Sequence, residues 1–223
     1  MAIFSQLSIC LDLDGTIIDT APDLIRVLNE VIAQEGLSET NYAEARKAIG
    51  YGSRALIEQA FERVKHEATP KRIDELRDLF LELYAAESWR LSRPFDGVME
   101  TLCMLKREGA DLSVCTNKPG YLARPLIENL GMRPLFSKIV GGDDVPRNKP
   151  HADHIFASAG HRKTHQIIMV GDGAPDALAA KAAGVPCILM AYGYSTIAFE
   201  HLGADIILRR FRDIPSALQD LSS

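Results

Sequence analysis

The chain has 223 residues, a net charge of −5 at neutral pH, 47% hydrophobic residues and 25% charged residues. A chain of this length forms one large domain or two small ones, and it should bury roughly 70% of its unfolded surface without a disulfide or a structural metal. The composition excludes a disordered protein, a collagen-like chain and a disulfide scaffold. Acidic residues outnumber basic ones, 30 against 25, which argues against binding to the phosphate backbone of nucleic acids.

The cysteines and the N-terminal segment indicate where the protein is found. None of the four cysteines forms a C-x-x-C pair, so we expect reduced thiols buried in an intracellular protein. The first residues lack the basic segment of a signal peptide, and no apolar run reaches the ~20 residues of a membrane helix. We therefore predict a soluble cytoplasmic protein with no membrane partner.

The first predicted strand, residues 8–13, is followed by a long segment without strand signals. In that segment apolar side chains recur every three or four positions, which predicts helices over 23–35, 53–65 and 70–87. We interpret residues 19–91 as an all-helical domain inserted into a core that consists of residues 1–18 and 92–223.

After the insertion, short apolar segments alternate with helical patterns. The strand segments are continuously apolar, as expected when both faces of a parallel sheet are covered. In chain order we predict helix 97–108, strand 111–116, helix 121–129, strand 137–141, helix 152–159, strand 166–171, helix 176–183, strand 185–190, helix 196–202 and strand 204–208. This alternation predicts an α/β fold with a doubly wound parallel sheet.

The segment DLDGT, residues 12–16, directly follows the first strand. In an extended chain residues i and i+2 point the same way, so Asp12 and Asp14 are expected to face one site. Gly15 allows the backbone to turn sharply and, with Thr16, to present amide groups to a bound anion. Ligands of open α/β sheets bind beyond the carboxyl ends of the strands, where this segment falls.

A second acidic segment, GDGAPD at 171–176, follows the strand predicted at 166–171. Taken alone, it is equally well explained as the N-cap of a helix. Together with Asp12 and Asp14, however, Asp172 and Asp176 would place four carboxylates at neighbouring strand ends, where they repel one another unless a cation is bound. Carboxylate ligands of this kind favour Mg²⁺.

Two further strand ends contribute other polar groups. Thr116 and Asn117 offer a hydroxyl and an amide after one strand, and Lys149 stands before a helix that begins with proline. Each is an ordinary surface residue when taken singly. With the carboxylates they make a set that contains a nucleophile, an acid–base group, a hydroxyl, an ammonium and metal ligands.

The order and spacing of these segments resemble the haloacid dehalogenase superfamily, and within it the phosphoglycolate phosphatase-like members. The segments are LDLDGTIIDTAPDL, IGYG, RPFDGV, VCTNKP, VGGDDVPRNKPH, VGDGAPDALAAKAAG and a closing GYS…GAD. The resemblance spans nearly the whole chain. It implies a Rossmann-like core with a helical cap inserted after the first strand.

The resemblance also implies a role for each matching residue. Asp12 would attack phosphorus and become an aspartyl-phosphate, and Asp14 would protonate the leaving group and then activate water. Thr116 and Asn117 would hold a phosphoryl oxygen, and Lys149 would balance charge. Mg²⁺ would be held by Asp12, the backbone carbonyl of Asp14 and Asp172, while Asp176 would orient Lys149 or a metal-bound water.

The resemblance implies that the cap selects the substrate, a small phosphorylated metabolite, most specifically 2-phosphoglycolate. We expect Gly52 to lie in a substrate loop and Arg54 to pair with the substrate carboxylate. The alternative for this segment is a turn between two helices followed by a surface arginine. We expect either a monomer or a homodimer.

Other functions stay open from the residues. A phosphatase for another small metabolite, a sugar phosphomutase, a phospho-accepting receiver domain and an inactive binding module use overlapping residue sets. The second aspartate speaks against a dehalogenase, and the helical insertion speaks against a receiver. His161 and His165 have the spacing of a zinc helix, although their polar surroundings favour a solvated turn.

Overall fold

The computed structural model describes residues 3–46, 48–159 and 166–221. It divides into two compact units, one formed by Met1–Ile18 with Pro94–Ser223 and the other by Asp19–Arg93. The segments that connect the units carry two short strands, β2 (Ile18–Asp19) and β3 (Arg93–Pro94), which pair with each other.

The larger unit is built on a six-stranded sheet. Its strands are β1 (Leu7–Leu11), β4 (Asp111–Cys115), β5 (Lys138–Val140), β6 (Gln166–Gly171), β7 (Cys187–Met190) and β8 (Ile206–Leu208). They run parallel in the order β5-β4-β1-β6-β7-β8. The central strand β1 is buried along its whole length, because both faces of the sheet are covered, as its continuous apolar sequence requires.

Helices follow the strands of this sheet. They are α5 (Val98–Arg107), α6 (Gly120–Asn129), α7 (Ala152–Ala159), α8 (Ala174–Ala183) and, at the C-terminal end, α9 (Ile214–Leu221). Helix α7 packs on β4, β5 and β1, and α8 packs on β6 and β7. Strand alternating with helix around a parallel sheet confirms the predicted fold class, a Rossmann-like α/β core with a helical insertion.

The smaller unit contains the helices of the insertion. These are α1 (Ala21–Ile32), α2 (Tyr42–Ala45), α3 (Ser53–Arg63) and α4 (Pro70–Glu87). Helix α4 begins where Thr69 accepts a hydrogen bond from the Arg72 amide and Pro70 occupies the first turn. Helix α1 packs against α3 and α4 through its apolar face.

One predicted element is wrong. The helix expected over 196–202 is only a single 3₁₀ turn, Phe199–His201. The hydroxyl of Ser195 accepts a hydrogen bond from the Ile197 amide at 3.2 Å, and such a local turn competes with helix formation. Helices α2 and α9 were not predicted. Within the described ranges, no helix is long and apolar enough to cross a membrane.

A buried carboxylate anchors the end of the insertion to its first helix. Asp23, in α1, accepts hydrogen bonds from the amides of Leu91 and Ser92 and from the Ser92 hydroxyl, at 2.7–2.8 Å. Arg26 forms an ion pair with the same carboxyl group at 3.0 Å. The backbone amides that precede β3 therefore depend on this side chain for their hydrogen bonds.

We expect Asp23→Ala to lower the free energy of unfolding by about 3 kcal/mol, because it leaves several buried donors without an acceptor. Urea denaturation monitored by the fluorescence of Trp89, the single tryptophan, measures the loss in this unit. Glu30→Ala removes an exposed partner of the same arginine, and it should change stability by no more than ~0.5 kcal/mol. Equal losses for the two variants would contradict the anchoring role of Asp23.

Candidate active site

The site lies at the carboxyl end of the sheet, where the strand order brings four loops together. In the sheet, strand β1 lies between β4 and β6, and β5 lies on the other side of β4. The segment after β1 carries Asp12 and Asp14, and those after β4, β5 and β6 carry Thr116, Lys149 and Asp172 in that order. The Asp12 amide donates to Val170 O at 2.8 Å, so this aspartate stands one residue beyond the end of β1.

Lys149 links two of the carboxylates. Its Nζ donates to Asp12 Oδ1 at 2.8 Å and to Asp176 Oδ1 at 2.6 Å. The lysine is 3% exposed. Burial alone would lower its pKa, but the two carboxylates outweigh that effect and raise the pKa above the ordinary value, so the ammonium stays charged.

Asp176 has two structural tasks. While Oδ1 binds Lys149, its Oδ2 accepts hydrogen bonds from the amides of Asp172 and Gly173, both at 3.1 Å. These amides precede α8, so Asp176 caps the N-terminus of that helix. The interpretation of GDGAPD as a helix cap is therefore confirmed for Asp176, while its role in a functional site remains a prediction.

Asp172 is held from two sides. Its Oδ1 accepts a hydrogen bond from Thr16 Oγ1 at 3.1 Å, and its Oδ2 accepts one from the Tyr194 amide at 2.6 Å. Gly15, with φ +85°, lies so close that a Cβ there would stand 2.6 Å from Asp172 Oδ2. A side chain at position 15 would therefore displace this carboxylate, which explains the glycine after Asp14.

The carboxylates of Asp12, Asp172 and Asp176 form a cluster whose oxygens lie within 4.8 Å of one another. Burial raises the pKa of Asp12 to about 6 and raises the pKa of Asp172 well above its ordinary value, and the negative charges of neighbouring aspartates add to both effects. Lys149 supplies one positive charge against these three groups. A divalent cation with a preference for oxygen ligands fits this donor set.

Asp14 has a different partner, which sequence reasoning missed. Its Oδ1 accepts a hydrogen bond from Lys118 Nζ at 2.9 Å, and the two side chains are 18% and 7% exposed. The contribution of the Asp14 backbone carbonyl to a metal remains a prediction. The position of Lys118, directly after Thr116 and Asn117 in the segment that follows β4, the strand next to β1, was the available signal.

Thr116 and Asn117 stand at the end of β4, as predicted. Thr116 is buried, and its Oγ1 accepts a hydrogen bond from the Lys118 amide at 3.1 Å. Asn117 Nδ2 donates to the carbonyl oxygen of Lys149 at 2.8 Å, whereas its Oδ1 has no hydrogen-bond partner among the residues that the structure describes. Their predicted contact with a phosphoryl oxygen remains a prediction.

A buried histidine supports the backbone of Lys149. His154 Nδ1 accepts a hydrogen bond from the Lys149 amide at 3.3 Å, and Nε2 lies 3.1 Å from Val140 O. Burial and the nearby Lys149 ammonium lower the pKa of His154 to about 4. The ring is therefore neutral at physiological pH, with its proton on Nε2. Sequence reasoning assigned no role to this residue.

The predicted specificity residues lie in the helical unit. Gly52 directly precedes α3 with φ +94°. Arg54 forms ion pairs with Glu58 at 2.8 Å and Asp74 at 2.5 Å. Both of these partners are carboxylates of its own unit, and the role of Arg54 toward a substrate remains a prediction. His161 and His165 lie outside the described residues.

A family model described as haloacid dehalogenase-like hydrolase matches residues 9–190. The chain therefore belongs to the haloacid dehalogenase-like hydrolase family, and the resemblance inferred from its motifs is confirmed. Membership places it among the hydrolytic enzymes, as predicted.

Individual relatives are similar to the chain over more than nine-tenths of its length. The phosphoglycolate phosphatase of Caulobacter vibrioides is 39% identical over 212 residues, which cover 94% of this chain and 90% of the relative. That of Agrobacterium fabrum is 40% identical, with 93% and 90% covered. A crystal structure described as a predicted phosphoglycolate phosphatase from Haemophilus somnus has a TM-score of 0.87 at 30% identity and covers 97% of this chain and 98% of that one. The likeness therefore includes both units.

The depressed pKa of His154 makes stability depend on pH. The folded protein takes up this proton only near pH 4, whereas the unfolded chain takes it up near pH 6.5. Between these values the unfolded state binds more protons, so acid destabilises the fold. From pH 7 to pH 5 we expect this group to remove about 2 kcal/mol.

His154→Gln should lack this contribution, so its unfolding free energy should fall less between pH 7 and pH 5 than that of the unmodified protein. Urea denaturation at both pH values measures the difference. His201→Gln, at an exposed position, serves as the control and should follow the unmodified protein. A His154→Gln variant with the unmodified pH dependence would contradict the neutral, buried state of this ring.

Proposed function

We propose that this chain is a Mg²⁺-dependent phosphomonoester hydrolase that acts through an aspartyl-phosphate on Asp12, with 2-phosphoglycolate as its substrate. The observation that carries the chemistry is the ion pair between Asp12 and the buried Lys149, with Asp14 two residues further on. Support for the substrate comes from the relatives named phosphoglycolate phosphatase, whose likeness covers more than nine-tenths of the chain.

In the first step a carboxylate oxygen of Asp12 attacks phosphorus, and the bond between phosphorus and the ester oxygen breaks. Asp14, protonated for this step, gives its proton to the leaving alkoxide, which departs as an alcohol. Lys149 holds Asp12 by one oxygen, which leaves the other oxygen for the attack.

In the second step water attacks the phosphorus of the aspartyl-phosphate. Asp14, now a carboxylate, takes a proton from the water, and the bond between phosphorus and Asp12 breaks. The products are inorganic phosphate, free Asp12 and a protonated Asp14 that is ready for the next substrate. Thr116, whose buried hydroxyl stands at the neighbouring strand end, would donate to a phosphoryl oxygen in both steps.

Asp12 and Asp172 would hold Mg²⁺, with Asp176 keeping Lys149 and the Asp172 backbone in position. When bound, the ion would supply positive charge against the phosphoryl oxygens and the clustered carboxylates. The site is suited to this because its carboxylates exceed its ammonium groups. We also propose that the protein is located in the cytoplasm, and that its larger unit is the catalytic core and its helical unit the specificity domain.

We expect Asp12→Asn to reduce kcat by at least about 1,000-fold, because the amide keeps the shape of the side chain but is no nucleophile. Steady-state hydrolysis of 2-phosphoglycolate and p-nitrophenyl phosphate measures the loss, and acid quench should trap a phosphorylated chain only with Asp12 intact. Asp220→Asn, at an exposed position of α9, should retain full activity. Turnover of Asp12→Asn within tenfold of the unmodified enzyme would refute the nucleophile assignment.

EDTA should abolish activity and Mg²⁺ should restore it, whereas Ca²⁺ should bind and support turnover poorly because of its larger, looser coordination. Asp172→Asn should weaken Mg²⁺ binding, which isothermal titration calorimetry measures without reference to activity. Full turnover in EDTA, with no metal retained on the protein, would contradict the assignment of Asp12 and Asp172 as Mg²⁺ ligands.

A panel of phosphate esters decides the substrate. Steady turnover of p-nitrophenyl phosphate would exclude a receiver domain and an inactive binding module. A hexose phosphate or a nucleotide with a higher kcat/KM than 2-phosphoglycolate would overturn the proposed substrate and leave the phosphatase chemistry intact.

A further inference from the structure

We propose that Lys118 binds the carboxylate of the substrate and so selects phosphate esters whose leaving group carries a negative charge beside the ester oxygen. This inference rests on the proposed function, and it concerns a residue that the sequence motifs did not single out. It assigns the two lysines of the site, Lys118 and Lys149, to the two ends of the substrate.

The position of Lys118 relative to the reaction follows from its ion pair. Its Nζ lies 2.9 Å from Asp14 Oδ1, and Asp14 is the group that exchanges a proton with the leaving oxygen. The Lys118 ammonium therefore lies on the leaving-group side. Lys149, by contrast, binds Asp12 and Asp176, on the side of the nucleophile.

The chemistry of an ammonium allows a second anion at this point. Lys118 carries three N–H donors, so a hydrogen bond to Asp14 is compatible with another to a substrate carboxylate. Its side chain is 7% exposed, and a charge–charge hydrogen bond is stronger where water is excluded.

The dimensions of 2-phosphoglycolate match this arrangement. One methylene separates the ester oxygen from the carboxylate carbon, so a carboxylate oxygen lies roughly 3 Å from the ester oxygen when bond lengths are about 1.5 Å. When the ester oxygen of 2-phosphoglycolate accepts a hydrogen bond from protonated Asp14, the carboxylate of the substrate is therefore within reach of Lys118. The phosphate ester of a neutral alcohol of the same length has no charge at this position for Lys118 to bind.

The backbone of Lys118 is held in place on both sides. Its amide donates to Thr116 Oγ1 at 3.1 Å, and its carbonyl oxygen accepts a hydrogen bond from the Gly142 amide at 3.0 Å. Its position is therefore set before substrate arrives, which reduces the entropy lost on binding. Arg54, the carboxylate partner expected from the sequence, has Glu58 and Asp74 as partners in its own unit.

The test compares two substrates that differ in the group beside the ester methylene, a carboxylate in 2-phosphoglycolate and an uncharged hydroxymethyl group in 2-hydroxyethyl phosphate. Lys118→Met keeps the length of the side chain and removes the ammonium. We expect it to lower kcat/KM for 2-phosphoglycolate by about 100-fold or more and that for 2-hydroxyethyl phosphate by less than about 10-fold, given the usual strength of a charged hydrogen bond. Lys118→Arg should retain a preference for 2-phosphoglycolate.

Two controls complete the design. Lys181→Met, at an exposed position of α8, should leave both values unchanged, and the turnover of 2-hydroxyethyl phosphate shows that Lys118→Met is folded. If Arg54→Ala, and not Lys118→Met, selectively impairs 2-phosphoglycolate, the inference is wrong.

The remaining outcomes separate the inference from the proposed function. Equal losses of Lys118→Met on both substrates would restrict the lysine to supporting Asp14 and would overturn the inference, while the phosphatase activity of the unmodified enzyme would stand. An unmodified enzyme that hydrolyses neither ester would overturn the proposed function, and the inference with it.

Discussion

A cluster of three carboxylates at the end of one sheet, two buried and one half-buried, is the constraint on which the site depends. Isolated negative charges in such a position are costly, and here Lys149 offsets part of the cost by binding Asp12 and Asp176 together. The raised pKa values of Asp12 and Asp172 show that the compensation is incomplete. In the proposed reaction, binding a cation and binding a phosphate beside it would be coupled, because the cation would reduce the repulsion to which the phosphate adds.

The sheet order supplies this arrangement without a long loop. Strands β4 and β6 flank β1, so three polar segments that are far apart in sequence emerge side by side. Asp176 then connects the charge cluster to the fold, because one oxygen binds Lys149 and the other caps α8 through the amides of Asp172 and Gly173. The same carboxylate therefore orients a charged group and stabilises a helix end.

The sequence predicted the sheet, most of the helices and the carboxylates of the site, because buried parallel strands are continuously apolar and their ends are marked by Asp, Gly and Thr. It did not predict Lys118 or His154. A lysine in a turn and a histidine on a helix have no local pattern that separates a buried partner from a surface residue. Only the packing of β1, β4 and α7 shows that these side chains face charged or backbone groups of other segments.

The two lysines of the site differ in what their partners must do during a reaction of the proposed kind. Asp176 keeps its hydrogen bonds to the helix end throughout, so Lys149 has a permanent anchor beside Asp12. Asp14, the partner of Lys118, has to gain and lose a proton in each cycle, so its attraction for the ammonium changes. A substrate carboxylate at Lys118 would hold the lysine in place while Asp14 is neutral. Recognition of the leaving group and transfer of its proton would then depend on the same pair of side chains.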